Sequence, residues 1–318
     1  MKAFITGASG FAGSFLSERL LNSGYAVFGT YLSEKSLENL SHIKNKINLV
    51  HLDLLDEEKT NQTISDIRPD LIFHLAAFTS PAESFKNPKE TFDNNISAEL
   101  NIFESVVKNK LLDTKILVVS SSEIYGVVKP EDIPVDEDTP LRPGSPYAVS
   151  KIAQDFLGFQ YFLSAKLKIV RVRPYNHSGP RQAPIFVISS FAKKIADIEK
   201  GKEDPVLKVG NLDARRDFTD VRDMVEAYVL ALEKGEAGEV YNLGFGKSQK
   251  IGDILEMLLN MSTKKDIKVE KDPSLFRPVD VPDIVSDSTK FRKLTGWKPQ
   301  ISIEKTLQDT LDYWRDLS

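Results

Sequence analysis

No cysteine occurs among the 318 residues, which excludes disulfides, thiolate nucleophiles and cysteine-ligated metal and fits a reducing compartment. Long apolar runs are missing too: none approaches the roughly 18 residues that suggest a membrane span. There is no excess of one charge, since 42 Lys plus Arg face 46 Asp plus Glu for a formal net charge of −4. Such a chain has no field to draw it onto nucleic acid or an anionic membrane, so neither is expected as a partner. Histidine is scarce, and the 4 present show no metal-ligand spacing, so no metal site is expected. Met1 to Ile5 run straight into a Gly-rich turn, leaving no room for a secretory signal, and a cytoplasmic location is expected. Internal repeats and low-complexity tracts are absent as well.

What is present is an ordinary globular composition, 41% hydrophobic and 28% charged, on a chain long enough for a large domain with a smaller appended lobe. Strand-like runs at 2–6, 26–30, 48–52, 71–75, 116–120 and 168–173 alternate with amphipathic stretches such as 11–22, 57–67 and 98–108. Repeated βαβ units of this kind predict an α/β fold, a Rossmann-like doubly wound parallel sheet whose ligands bind beyond the carboxyl ends of the strands. After Arg173 the rhythm breaks at Pro174, Gly179-Pro180 and Pro184. The expected division is therefore a dinucleotide-binding domain over 1–173, with a return around 215–245, and a smaller α/β substrate-binding lobe mainly over 174–318.

Between the first strand and the first helix stands Gly7-Ala8-Ser9-Gly10-Phe11-Ala12-Gly13. Glycines at this spacing permit a tight turn and let the backbone N–H groups near Phe11 and Ala12, at a helix N-terminus, approach a pyrophosphate. A Gly-rich turn can also be a turn and nothing more; its place after the opening strand favours the phosphate site. Which dinucleotide enters depends on the second strand's end, Gly29-Thr30-Tyr31, where no acid stands and Glu34 comes late, while Ser33 and Lys35 are available to a phosphate. NADP(H) is favoured, with NAD(H) the alternative. Asp53, with Leu54 beside it at the third strand's end, is a candidate for the adenine, though acids there also serve as turn caps.

Tyr147 and Lys151 lie four residues apart just after Pro146, a spacing that puts both on one face of a helix starting there. An ammonium beside a phenol favours the phenolate, so Lys151 is expected to lower the pKa of Tyr147 and make it a proton carrier. Tyr-x-x-x-Lys by itself is also an unremarkable exposed helix face. Ser120-Ser121-Ser122-Glu123 at the end of the fifth strand argues for chemistry, because a hydroxyl there can orient a reacting oxygen toward Tyr147. Ser121 is the candidate and Ser122 its competitor. Glu123 is either a base for a proton alpha to a ketone or a solvated loop acid.

In this order the Gly-rich turn, the Ser-Ser-Ser-Glu segment and the Tyr-Lys pair resemble the extended short-chain dehydrogenase/reductase family of nucleotide-sugar enzymes over essentially the whole chain. His74-Leu75-Ala76-Ala77 is similar to the family's fourth-strand motif, implying that Leu75, Ala76 and Ala77 line the cofactor alongside Tyr31. Arg173-Pro174-Tyr175-Asn176 and Arg215-Arg216-Asp217-Phe218 are further hallmarks; the resemblance implies that Asn176 and Ser122 contact the sugar or its diphosphate and that Arg216 and Arg277 clamp phosphates. Lys151 by the same resemblance holds the nicotinamide ribose.

The Ser121-Ser122-Glu123 wording is most similar to the GDP-mannose branch, which holds a 4,6-dehydratase and the GDP-6-deoxy-4-keto-mannose reductase that follows it. The dehydratases carry an Arg-rich insertion after the second strand, whereas here 32–41 is short and without Arg, so a reductase is the leading expectation. The alternatives are the dehydratase, a nucleotide-sugar 4-epimerase, and a non-catalytic NADP-sensing protein. A GDP-sugar is the expected small-molecule partner. Apolar residues at helical spacing, among them Ile152, Phe156, Phe159 and Phe162, together with the family's helix pairing, predict a homodimer.

Overall fold

The computed structural model describes residues 1–276, 279 and 281–317. In chain order its strands are β1 (Lys2–Thr6), β2 (Ala26–Tyr31), β3 (Asn48–His51), β4 (Leu71–His74), β5 (Lys115–Val119), β6 (Lys168–Pro174), β7 (Asn176–Ser178), β8 (Val206–Val209), β9 (Arg215–Asp220), β10 (Val240–Leu243), β11 (Ser248–Lys250) and β12 (Lys268–Lys271). The helices are α1 (Phe11–Asn22), α2 (Glu57–Ile67), α3 (Pro81–Lys86), α4 (Pro88–Phe92), α5 (Ala98–Lys108), α6 (Pro146–Ala165), α7 (Val187–Glu199), α8 (Val221–Lys234), α9 (Ile251–Met261), α10 (Thr289–Thr295) and α11 (Ile303–Leu317).

The central sheet has 7 strands in the order β10-β6-β5-β4-β1-β2-β3, every neighbouring pair parallel. Its inner strands are largely apolar because both faces are covered. Alternate residues divide between the faces: Ala3, Ile5, Leu71, Phe73, Leu117, Val170 and Val172 meet Leu16 and Leu20 of α1 and Met224, Tyr228 and Leu232 of α8. On the other face Phe4, Ile72, Ile116, Val118 and Ile169 meet Ile64 of α2 and Ile102, Phe103 and Val106 of α5. A slip of one residue in any of these strands would exchange its two faces.

Beyond β6 the chain forms a sheet of order β11-β9-β7 and the pair β12-β8, and it rejoins the central sheet through β10. Ile188, Phe191 and Ile195 of α7, Ile254, Leu255 and Leu258 of α9 and Leu307 and Leu311 of α11 share a separate apolar cluster with Leu207 and Val209. Because the seven strands run parallel, Thr6, Tyr31, His74, Val119 and Pro174 all end at the same edge. The order reverses between β4 and β1, which is where a crevice opens in such sheets.

Candidate active site at the carboxyl edge of the sheet

The turn from β1 to α1 is held by backbone contacts that leave no room for side chains. Gly7 adopts φ +68°, and a Cβ there would lie 3.1 Å from the Ala76 backbone. At Gly13 a Cβ would come within 2.1 Å of the Gly7 carbonyl oxygen, so only glycine lets α1 sit this close to the turn. Gly10 caps α1 without a side-chain acceptor, and the N–H groups of Phe11, Ala12 and Gly13 in its first turn remain for an anion. Thr6 ties the two strand ends across the switch point, its Oγ1 accepting from Leu75 N and Ala76 N, each at 3.2 Å. The structure thus gathers Gly7, Gly10, Phe11, Ala12, Gly13, Leu75, Ala76 and Ala77 into one cradle that fits a dinucleotide.

At the β2 end a 3-10 turn over Glu34–Leu40 folds Glu34 back so that Tyr31 donates its hydroxyl to Glu34 Oε1 at 3.0 Å. Leu37 and Leu40 bury beneath that turn, and Ser36 Oγ lies 2.7 Å from Ser9 Oγ. The Tyr31 ring also lies 5.2 Å from that of His51. Asp53 is exposed, its Oδ1 accepting from Leu55 N at 3.0 Å as a turn cap does, and Leu54 beside it is buried with its carbonyl bound by Asn101.

Ser120 to Ser122 follow β5 directly. Ser121 caps the short 3-10 turn Ser122–Ile124, its Oγ accepting from Glu123 N at 3.2 Å, and it also forms a hydrogen bond with Tyr147. Tyr147 and Lys151 enter on α6, which starts where Ser145 accepts from Ala148 N at 3.1 Å and Pro146 occupies the first turn. Ser121, Tyr147 and Lys151 are all less than a tenth exposed.

The expected effect of Lys151 on Tyr147 is not what the geometry gives. Burial raises the Tyr147 phenol, the Ser121 hydrogen bond opposes this, and Glu123 adds to the rise. Lys151 instead donates its Nζ to Val119 O at 2.8 Å, and burial lowers it to about 8 against the pull of Glu99. Shared helix phase brings the two residues to one face but does not aim the ammonium at the phenol.

A small cavity is lined by Ser122, Glu123, Gly126, Asn176, Arg216, Val281 and Ile284. It therefore unites four residues singled out from sequence: Ser122, Glu123, Asn176 and Arg216. Arg216 donates to Val281 O at 2.6 Å. Arg277, the other expected phosphate clamp, lies outside the described residues. Among the described residues no group of His, Asp or Glu is disposed to hold a metal, and no helix is long and apolar enough to cross a membrane.

Sequence reasoning missed several groups. A π-turn over Asp93–Ser97 turns Asn95 inward, where its Nδ2 donates to Ser150 Oγ at 2.9 Å and to Phe78 O at 3.1 Å. Asp155 on α6 binds both Arg171 at 2.7 Å and Arg173 at 2.8 Å beneath the site. Its signal was legible, four residues past Lys151 and opposite alternate arginines of β6. Asn95 and Glu99 gave none, since polar residues in a helix normally face water.

With this geometry in place, comparison with known proteins is decisive: the model of the family described as GDP-mannose 4,6 dehydratase matches residues 4–310. The chain belongs to that family. Within this GDP-mannose 4,6-dehydratase family it is 32% identical to GDP-6-deoxy-D-mannose reductase of Pseudomonas aeruginosa over 313 residues, 98% of this chain and 97% of that protein. It is also 32% identical to a GDP-mannose 4,6-dehydratase of Yersinia enterocolitica over 341 residues, 96% of this chain and 91% of the other. Among solved structures the NADPH complex of RMD from Pseudomonas aeruginosa is similar at a TM-score of 0.86 and 30% identity, covering 100% of this chain and 99% of that one. A UDP-glucose 4-epimerase from Thermotoga maritima with UDP-glucose reaches 0.90 at 30% identity, covering 100% and 99%.

Proposed function

We propose that the protein is an NADPH-dependent reductase of the C4 ketone of a GDP-4-keto-6-deoxyhexose, like GDP-6-deoxy-D-mannose reductase. The observation that carries this is the buried Tyr147, bound by Ser121 and held in its phenol form by burial, because reduction of a ketone needs a proton donor there. Supporting it, the alignment with the Pseudomonas reductase runs nearly end to end in 313 residues, whereas the Yersinia dehydratase needs 341. In this chain the segment after β2 is taken up by the compact turn Glu34–Leu40, with no arginine in it.

The cradle at Gly7, Gly10 and Gly13 would hold the dinucleotide pyrophosphate, Leu75 to Ala77 and Tyr31 its flanks, Asp53 and Leu54 its adenine end, and Lys151 its nicotinamide ribose. When bound, the cofactor supplies hydride. NADP(H) is proposed, with NAD(H) second on account of Glu34 beside Tyr31. Ser121 orients the ketone oxygen and Tyr147 gives it a proton. Asn176, Ser122 and Arg216 receive the sugar diphosphate, with Arg277 as a further clamp.

A 4,6-dehydratase is the second reading, favoured by Glu123 lining the same cavity as Asn176 and Arg216, where a base for C5 is needed. Incubation with GDP-mannose and catalytic NADP, and separately with the 4-keto-6-deoxy sugar and stoichiometric NADPH, separates the two. Consumption of NADPH with the keto sugar alone supports the reductase; loss of water from GDP-mannose without NADPH build-up establishes the dehydratase and overturns the proposal.

We further propose two lobes divided near residue 174, with the stretch through β10 returning to the first, and a cytoplasmic homodimer. Val149, Phe156 and Leu163 recur every seven residues along α6 and are 40%, 51% and 52% exposed, an apolar stripe suited to pairing with its copy.

A further inference from the structure

Asp217 stands beside Arg216 on β9 and is wholly buried. Its Oδ1 accepts from Phe245 N at 2.9 Å, and its Oδ2 accepts from Gly246 N at 2.9 Å, Ser286 N at 3.0 Å and Ser286 Oγ at 2.7 Å. Burying a carboxylate is costly unless donors meet it, and these donors offset the rise in proton affinity that burial imposes. One side chain thus ties two other parts of the chain to β9: the turn between β10 and β11, and the stretch 281–287.

Those two parts fit closely. A Cβ on Gly244 would lie 2.2 Å from Ser286 Oγ, and Gly244 N donates to Ser288 Oγ at 3.0 Å. The stretch 281–287 runs as an extended strap, with Val135 N donating to Val285 O, Asp287 N to Val135 O and Arg215 N to Pro282 O, each at 2.8 Å. Val281 and Ile284 of the strap wall the cavity they share with Ser122, Glu123, Asn176 and Arg216, and Val281 O accepts from Arg216 Nη1. Arg216 is therefore held between its own strand and the strap. A guanidinium grips a phosphate with two bonds best when its fork is already fixed in place. The glycine cradle and Tyr147 are built on other elements, β1, α1 and α6.

We propose that Asp217 is a positioning residue for the nucleotide sugar: by pinning the strap it fixes Arg216 and the apolar wall of the cavity, and so sets substrate affinity without acting on the dinucleotide site or the proton donor. That the cavity takes a nucleotide sugar rests on the function proposed above; the pinning of the strap does not.

The test compares wild type with Asp217→Asn, whose amide group presents donors where the carboxylate accepts. Amide hydrogen exchange is read over 244–246 and 281–287, dissociation constants for GDP and for NADPH by calorimetry, and steady-state kinetics with NADPH and the 4-keto-6-deoxy sugar. Exchange in both segments should quicken at least about tenfold. The GDP dissociation constant and the sugar KM should rise about tenfold, with kcat and NADPH affinity within about twofold of wild type. Unchanged exchange in 281–287 overturns the inference. So does faster exchange with GDP affinity and KM unmoved, and so does an equal loss of GDP and NADPH affinity, which marks a role in the fold as a whole. Faster exchange in a chain whose wild type binds neither GDP nor the keto sugar upholds the pinning and rejects the function. If Asp217→Asn does not fold, Ser286→Ala removes one donor and leaves the others: exchange in 281–287 should still quicken and the sugar KM rise about threefold, and if neither moves the inference is overturned.

Discussion

At the scale of single residues the site is a set of buried polar groups whose proton affinities differ from those in water. Tyr147→Phe removes the proton donor but little volume, so kcat should fall roughly 10²–10⁴-fold while NADPH still binds, as stopped-flow fluorescence would register. Gly13→Ala forces a methyl against the Gly7 carbonyl, and a loss of about 1–3 kcal/mol, with NADPH affinity lost as well, should follow in urea unfolding and titration. His74 has a depressed pKa in the fold, so the unfolded chain binds the extra proton first. Its contribution is therefore intact above the unfolded value near 6.5 and is lost progressively as pH falls toward about 3. Wild type should lose melting temperature faster than His74→Asn across that window; parallel curves would contradict the assignment. The residue types at the site were legible because glycine spacing and a Tyr-Lys pair are constraints that backbone and helix phase impose. The aim of Lys151 was not, since it depends on Val119, which comes from another element.

Among elements, α6 carries the most. Its inner face presents Tyr147, Lys151 and Asp155, and Asp155 neutralises two arginines of β6. Asp155→Ala leaves both guanidinium groups buried without their anion and should destabilise the fold by about 3–5 kcal/mol, measured by denaturant unfolding; a loss under 1 kcal/mol would show that water or Tyr125 replaces it. Six of the seven strands of the central sheet, all but β10, were readable from their apolar runs to within a residue at each end, because burial on both faces leaves little choice of residue. β7, β9 and β11 were not, as Asn176-His177-Ser178 and Arg215 to Asp220 hold polar residues that pair only once the second sheet assembles.

For the whole molecule we propose that the parallel sheet sets a dinucleotide cradle beside a proton donor, with Asn176 and Arg216 lining the cavity that receives the nucleotide sugar. Phe156→Glu, on the exposed stripe of α6, should convert a dimer to a monomer in sedimentation equilibrium without unfolding it; an unchanged mass would place the interface elsewhere. The central claim is net transfer of hydride from an external cofactor to the sugar. It is tested most directly with NADPH deuterated at the transferred C4 position and a GDP-4-keto-6-deoxyhexose, reading the product by mass and NMR. A product one deuteron heavier, labelled at C4 of the sugar, is the predicted result; unlabelled keto sugar with the cofactor returned intact would contradict it.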